Sequence, residues 1–142
     1  MIILDTNVVS EPTRLVASER VRQWMLTHDR RELFTTAITE AEMLWGIELM
    51  PAGPRRTTLI QQVYQIFRDE FANHVLSFDS AAAREFPAIV MQRRKNGRPI
   101  LSSDAQIASI ARAHGAVLVT RNIKDFEGCG IEVVNPWAAG VK

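Results

Sequence analysis

One cysteine among 142 residues rules out an internal disulfide, so nothing in the chain argues for an oxidising compartment. Cys129 lies between Gly128 and Gly130 with no Cys or His pair nearby, and reads as structural rather than zinc-binding. Long apolar runs are also missing. The opening Met-Ile-Ile-Leu stops at Asp5, too short for a signal-peptide core. No other segment approaches the ~20 apolar residues that cross a bilayer, and a cytoplasmic location is the expectation. Charge of one sign is not in excess: 17 Lys and Arg against 16 Asp and Glu leave +1. Such a total excludes a strongly basic binder, yet it can hide a basic patch if several acids are committed to a cation. Internal repeats, low-complexity tracts and linkers are absent.

What remains is ordinary globular composition, 46% hydrophobic and 23% charged. A chain of this length buries roughly two thirds of its unfolded surface, enough for one core, and residues 1–142 are expected to form a single domain. Strand and helix patterns alternate. Residues 2–4 read as a buried strand. Ser18 to His28 places Val21, Trp24, Met25 and His28 at helical spacing. Strands follow at Leu33–Thr36, Val75–Phe78, Ala116–Thr120 and Ile131–Val134. Helices are predicted at Thr39–Met50, Arg55–Phe71, from Asp79 or Ser80 to Lys95, and from Ser102 or Ser103 to His114. Asn96-Gly97 and Gly115 supply left-handed stops. Helices of this length between strands imply crossovers and a mostly parallel sheet covered on both faces, a three-layer α/β domain of Rossmann-like type.

In such a sheet, sites form beyond the carboxyl ends of the strands where strand order reverses. Four acids converge on that edge. Asp5 follows the first strand; Asp125 lies just beyond the strand ending at Thr120. Glu42 and Asp104 are expected in first helical turns. Each has a bland reading alone. Asp5 could cap a turn, Thr39 and Glu42 could form a capping box, and Asp104 could answer a helix dipole for about 0.3–1 kcal/mol. Asp125 could pair with Arg121 or Lys124. Together they are harder to dismiss, because crowded carboxylates repel unless protonated or neutralised by a cation. No histidine or thiol lies near them in sequence, and an all-oxygen set selects Mg²⁺ or Mn²⁺. One or two such ions could activate water and stabilise charge on a phosphate.

Four segments, MIILDTNVVSEP, TAITEAEMLWGIELM, LSSDAQIASIARAHGAVLVTRNIKDF and VVNPW, resemble in order the PIN-domain family. The likeness is strongest to VapC-type toxins of bacterial toxin–antitoxin pairs, the FitB-like subgroup included. It spans Met1 to Trp137. The resemblance implies a Rossmann-like sheet and a Mg²⁺- or Mn²⁺-dependent endoribonuclease that cleaves cellular RNA, tRNA or rRNA. It also implies a cognate antitoxin that pushes a peptide into the acidic site, and commonly a homodimer. Family acids carry over onto Asp5, Glu42, Asp104 and Asp125, with Asp5 and Asp104 as direct metal ligands and Thr6, Asn7 and Thr120 as polar helpers. Asn122 stands where some relatives have an acid, leaving open whether Asp125 or a water beside Asn122 completes the fourth corner. Glu11 and Glu40 match no motif and are expected at solvated helix positions.

Other small α/β families fit less well. A receiver domain needs an acid pair after its first strand, and a haloacid-dehalogenase-type phosphatase needs Asp-x-Asp; Asn7 stands in that place. A non-catalytic binding module with a degenerate site is the rival reading, but none of the four acids is missing. Basic residues gather at Arg93-Arg94-Lys95 with Arg98, and at Arg55-Arg56. Phosphate contact and a solvated helix end are equally good readings of the first group. Trp24 and Trp45 fall in amphipathic helices and read as core or subunit packing rather than base stacking. Met43, Trp45 and Leu49 offer an apolar face for a homodimer.

Overall fold

A computed structural model describes residues 1–142. Five strands run parallel in the order β3-β2-β1-β4-β5: β1 Ile2–Leu4, β2 Leu33–Thr36, β3 Val75–Leu76, β4 Val117–Val119 and β5 Val133–Val134. The first strand is therefore the central one. Ile3 pairs with Phe34 on one side and with Leu118 on the other, and Leu4 pairs with Val119. Chain order runs outward from β1 to β2 and β3, then returns to β1's other edge as β4. That reversal is the switch point at which α/β sheets carry their sites.

The period-2 alternation of side chains divides the core. Leu4 and Val119 face one way and pack with Val8, Val9, Trp24, Met43, Ile47 and Val63. Ile3 and Leu118 face the other way and pack with Ala82, Ile89, Ile107, Ile110 and Phe126. The first layer is built by α1 Thr6–Ser10, α2 Glu19–Leu26, α3 Ala37–Glu48 and α4 Pro54–Gln65; the second by α5 Ser80–Lys95 and α6 Ser102–His114. Both faces are covered, as expected of a wholly parallel sheet. No helix is long and apolar enough to cross a membrane. Gly115 closes α6 at φ +60, and Gly97 at φ +70 follows the Asn96 cap of α5. Both are the left-handed stops that the sequence proposes.

Several boundaries differ. The helix α1 is not anticipated: five residues are too few to show a period, and Asp5 caps it directly after β1. The expected Arg55–Phe71 helix is α4 followed by a π-turn at Ile66–Glu70. Helix α3 begins before Thr39, because Thr36 Oγ1 accepts the Thr39 N–H at 3.1 Å and serves as cap. The capping box between Thr39 and Glu42 does not form. Nor do Ser102 and Ser103 cap α6; they lie inside its first turn, behind an extended Leu101 that offers no side-chain cap. Glu11 is buried rather than solvated. It accepts the Ser18 N–H at 2.9 Å and faces Arg14 at 3.5 Å, tying the loop before α2 to the turn after α1. Met43 sits in the core, while Trp45 and Leu49 on the same helix are exposed.

Candidate active site

The Asp5 N–H donates to the Val119 carbonyl at 2.9 Å, which carries the β1–β4 ladder one residue past the strands and fixes Asp5 at the switch point. Its carboxylate is buried and fully engaged. Oδ1 accepts the Thr6 N–H at 2.8 Å, capping α1. Oδ2 accepts the Thr120 hydroxyl at 2.7 Å and the Asn7 amide at 3.3 Å. Asn7 Nδ2 also reaches Thr120 Oγ1 at 3.2 Å, and Asn7 Oδ1 accepts the Arg121 N–H at 3.1 Å. The ends of β1 and β4 are thus stitched together by side chains. Burial pushes the Asp5 carboxyl above its ordinary pKa, aided by the charge of Asp125 and opposed by the hydrogen bonds from Thr120, Thr6 and Asn7.

Glu42 arrives from the second turn of α3. Its Oε1 accepts the Thr6 hydroxyl at 3.0 Å, and Thr6 Oγ1 lies 3.1 Å from Thr39 Oγ1. Burial raises its pKa and Asp5 adds to the rise, while the Thr6 hydrogen bond opposes it. Asp104, in the first turn of α6, is half-buried and pushed up to about 6. Burial is the largest cause; the charges of Asp5, Asp125 and Glu42 follow, and Arg93 acts against them. Asp125 is exposed on a 3-10 turn, Ile123–Phe126, whose cap is Asn122. Its charge reaches both Asp5 and Asp104. Asn122 itself shapes the turn: its N–H donates to Thr120 Oγ1 at 3.1 Å and its carbonyl accepts the Asp125 N–H at 3.0 Å.

All four acids named from the sequence therefore meet at one sheet edge, with Thr6, Asn7 and Thr120 between them. They do not form a closed cage: no three His, Cys, Asp or Glu side chains stand close enough to hold an ion as placed. The donor set nonetheless suits a hydrated hard cation, because Mg²⁺ keeps several waters and takes only one or two carboxylates directly. Three acids held above their ordinary pKa by burial and mutual repulsion are the electrostatic counterpart of such a site.

Arg93 is not available for a phosphate. It is buried, and its Nη1 donates to the Lys124 carbonyl at 3.1 Å and the Glu127 carbonyl at 2.8 Å, while Arg98 pairs with Glu127. Two of the four basic residues in that cluster therefore clamp the loop that carries Asp125. Sequence reasoning missed this role, and also missed the Thr36–Thr39–Thr6 hydroxyl chain behind Glu42. The three threonines were the available signal, since buried hydroxyls need partners. Cys129 is buried in the core, as its spacing suggests, and burial raises its thiol pKa.

Fold and site together define an α/β domain with a carboxylate cluster at the switch point of a parallel sheet. Residues 2–128 match the PIN domain family, and the chain belongs to it. It is 39% identical, over 98% of its length and the whole of the relative, to a plasmid stability protein, StbB, of Pseudomonas syringae pv. tomato. It is 36% identical to a VapC ribonuclease of Sinorhizobium fredii, over 96% of this chain and 98% of that one. Among solved structures, a FitAB complex bound to a DNA fragment superposes with a TM-score of 0.90 at 34% identity, covering 97% of this chain and 96% of the other.

Proposed function

We propose that this chain is a divalent-metal-dependent endoribonuclease, the toxin of a toxin–antitoxin pair, cleaving phosphodiester bonds in cellular RNA such as tRNA or rRNA. The carrying observation is the convergence of Asp5, Glu42, Asp104 and Asp125 at the β1/β4 switch point, three of them with raised pKa values and no basic side chain bonded to any. Relatives named a VapC ribonuclease and a toxin, FitB, support the class of activity. The FitAB structure supports an antitoxin partner.

Asp5 and Asp104 would hold Mg²⁺ or Mn²⁺ directly, with Glu42 and Asp125 acting through water. The chemistry such an ion supplies is neutralisation of phosphodiester charge and activation of water. The residues themselves do the positioning. Thr120 and Asn7 fix both faces of Asp5 Oδ2, and Thr6 orients Glu42. Burial and its acidic neighbours hold the Asp104 pKa up to about 6 without an ion, and a bound cation would keep it ionised as a ligand.

The test is cleavage of total bacterial RNA by wild type and Asp104→Asn, with Mg²⁺ or EDTA. Discrete products made only by wild type with metal are expected. Cleavage that persists equally in the variant and in EDTA, or none at all, would leave a non-catalytic RNA- or protein-binding module as the better account.

A further inference from the structure

An acidic cluster repels the polyanion it is meant to cut, so a cation supplied by the protein should stand at its rim. Arg14, Arg22, Arg31, Arg56, Arg98 and Arg112 are each paired with a carboxylate, and Arg93 is spent on backbone carbonyls. Arg20 and Arg55 also bind backbone carbonyls, and of the arginines left over, Arg30, Arg68, Arg84, Arg94 and Arg121, only Arg121 adjoins a site residue. It directly follows Thr120, its N–H is held by Asn7, and its guanidinium is exposed and pairs with no acid. Instead it lies over the Trp137 ring, 5.2 Å from the centroid.

That ring is itself anchored. Trp137 packs against the first core layer, its N–H donates to Asn135 Oδ1 at 2.9 Å, and its carbonyl accepts Arg20 Nη1 at 2.9 Å. Asn135 Nδ2 reaches back to the Arg121 carbonyl at 3.5 Å. A guanidinium held over an indole loses little further freedom on binding an anion, and its N–H fork suits a phosphate bidentately. The backbone of Arg121 is joined to the Asp5 network through its N–H bond to Asn7, and its side chain extends from there onto the Trp137 ring.

We propose that Arg121, held by Trp137, is the phosphate grip of the site: it binds an RNA backbone phosphate next to the one at the carboxylate cluster. This rests on the ribonuclease reading and adds a substrate-positioning residue to it. The tail that carries Trp137 becomes part of the substrate site through that ring.

The experiment compares wild type with Arg121→Ala, Arg121→Lys and Arg68→Ala. Arg68 is an exposed residue in the segment leading into β3, at the opposite end of the sheet, so its removal changes net charge equally. Binding of a fluorescein-labelled, mixed-sequence single-stranded RNA is followed against salt in an Asp104→Asn background. Steady-state cleavage of total tRNA is measured in the active protein. Arg121→Ala is expected to weaken binding about tenfold, lower the log–log salt slope by about 0.7, and raise KM with kcat within about twofold. Arg121→Lys should recover part of the loss, and Arg68→Ala should match wild type. Equal KM and salt slope in Arg121→Ala and wild type, or the same loss in Arg68→Ala, overturns the proposal and leaves the ribonuclease reading standing. Wild type that neither binds nor cleaves RNA overturns both.

Discussion

Asp104 combines a half-buried position with three neighbouring negative charges, and its pKa near 6 stands well above the 3.8 of the unfolded chain. The folded protein thus holds this proton more tightly than the unfolded one. The stability gained is fully present below pH 3.8 and is lost as pH rises through about 6. In EDTA, thermal melts should therefore fall between about pH 4 and pH 7. Asp104→Asn should flatten that slope and raise the neutral-pH melting temperature by about 2–4 °C, corresponding to about 1 kcal/mol after allowing for solvent screening. Asp5 and Glu42 tilt the same way, so some slope will persist; an unchanged slope in the variant would count against Asp104 as the strained acid. Asp5 is a poorer probe of charge repulsion. Its carboxylate holds Thr6, Asn7 and Thr120, and an amide there would point N–H at the Asn7 amide donor. Asp5 and Asp125 were legible as acids just past strands and Asp104 as one opening a helix, whereas Glu42, expected in a first turn, lies in the second because α3 starts two residues before Thr39. The hydrogen-bonding of Asp5 was not legible, since Thr120 lies 115 residues away in the chain.

Helix α5 shows how an element can mislead when read by composition. Its last turn, Arg93-Arg94-Lys95, looks like a basic face complementing the helix dipole. Burial divides the run: Arg94 and Lys95 are exposed, whereas Arg93 reaches under the Ile123–Phe126 turn to two carbonyls and leaves its Nε without a partner. An isolated buried guanidinium is costly, so its retention reflects what it holds. Replacing it by Met should cost about 3 kcal/mol by leaving two carbonyls unsatisfied. Mn²⁺ affinity, read by calorimetric titration, should also fall, because the turn carrying Asp125 is unpinned. Arg93→Met with wild-type Mn²⁺ affinity would make the clamp purely structural. Strands and long helices were readable from period and from glycine stops. Helix α1 and the true start of α3 were not: both threonines are buried, and it is the bond from the Thr39 N–H to Thr36 Oγ1 that puts the cap at Thr36.

At the scale of the molecule, the exposed side of α3 and α4 is unusually apolar. Trp45 is 63% exposed, Leu49 66% and Tyr64 54%; Trp45 and Tyr64 border a groove with Leu44 and Ile60. Exposed apolar area of this kind marks association surfaces. Met43, which the sequence suggested for the same face, is instead core, so the face is Trp45, Leu49 and Tyr64. If it joins two copies, Trp45→Glu should convert a dimer to a monomer in sedimentation velocity with the far-ultraviolet circular dichroism unchanged. A variant that sediments like wild type would remove this face from the assembly.

The placing of β1 at the centre of the sheet has a consequence in time. A ribosome delivers the first strand first, yet one of its two edges stays open until residues 117–119 emerge to pair with it. Asp5 therefore waits for Thr120, and Asp104 and Asp125 arrive with the same late stretch. Until that stretch has been made and paired, the acids cannot gather into one site. Strand order thus makes chemistry the last thing this fold acquires, after both core layers have begun to form around an incomplete sheet.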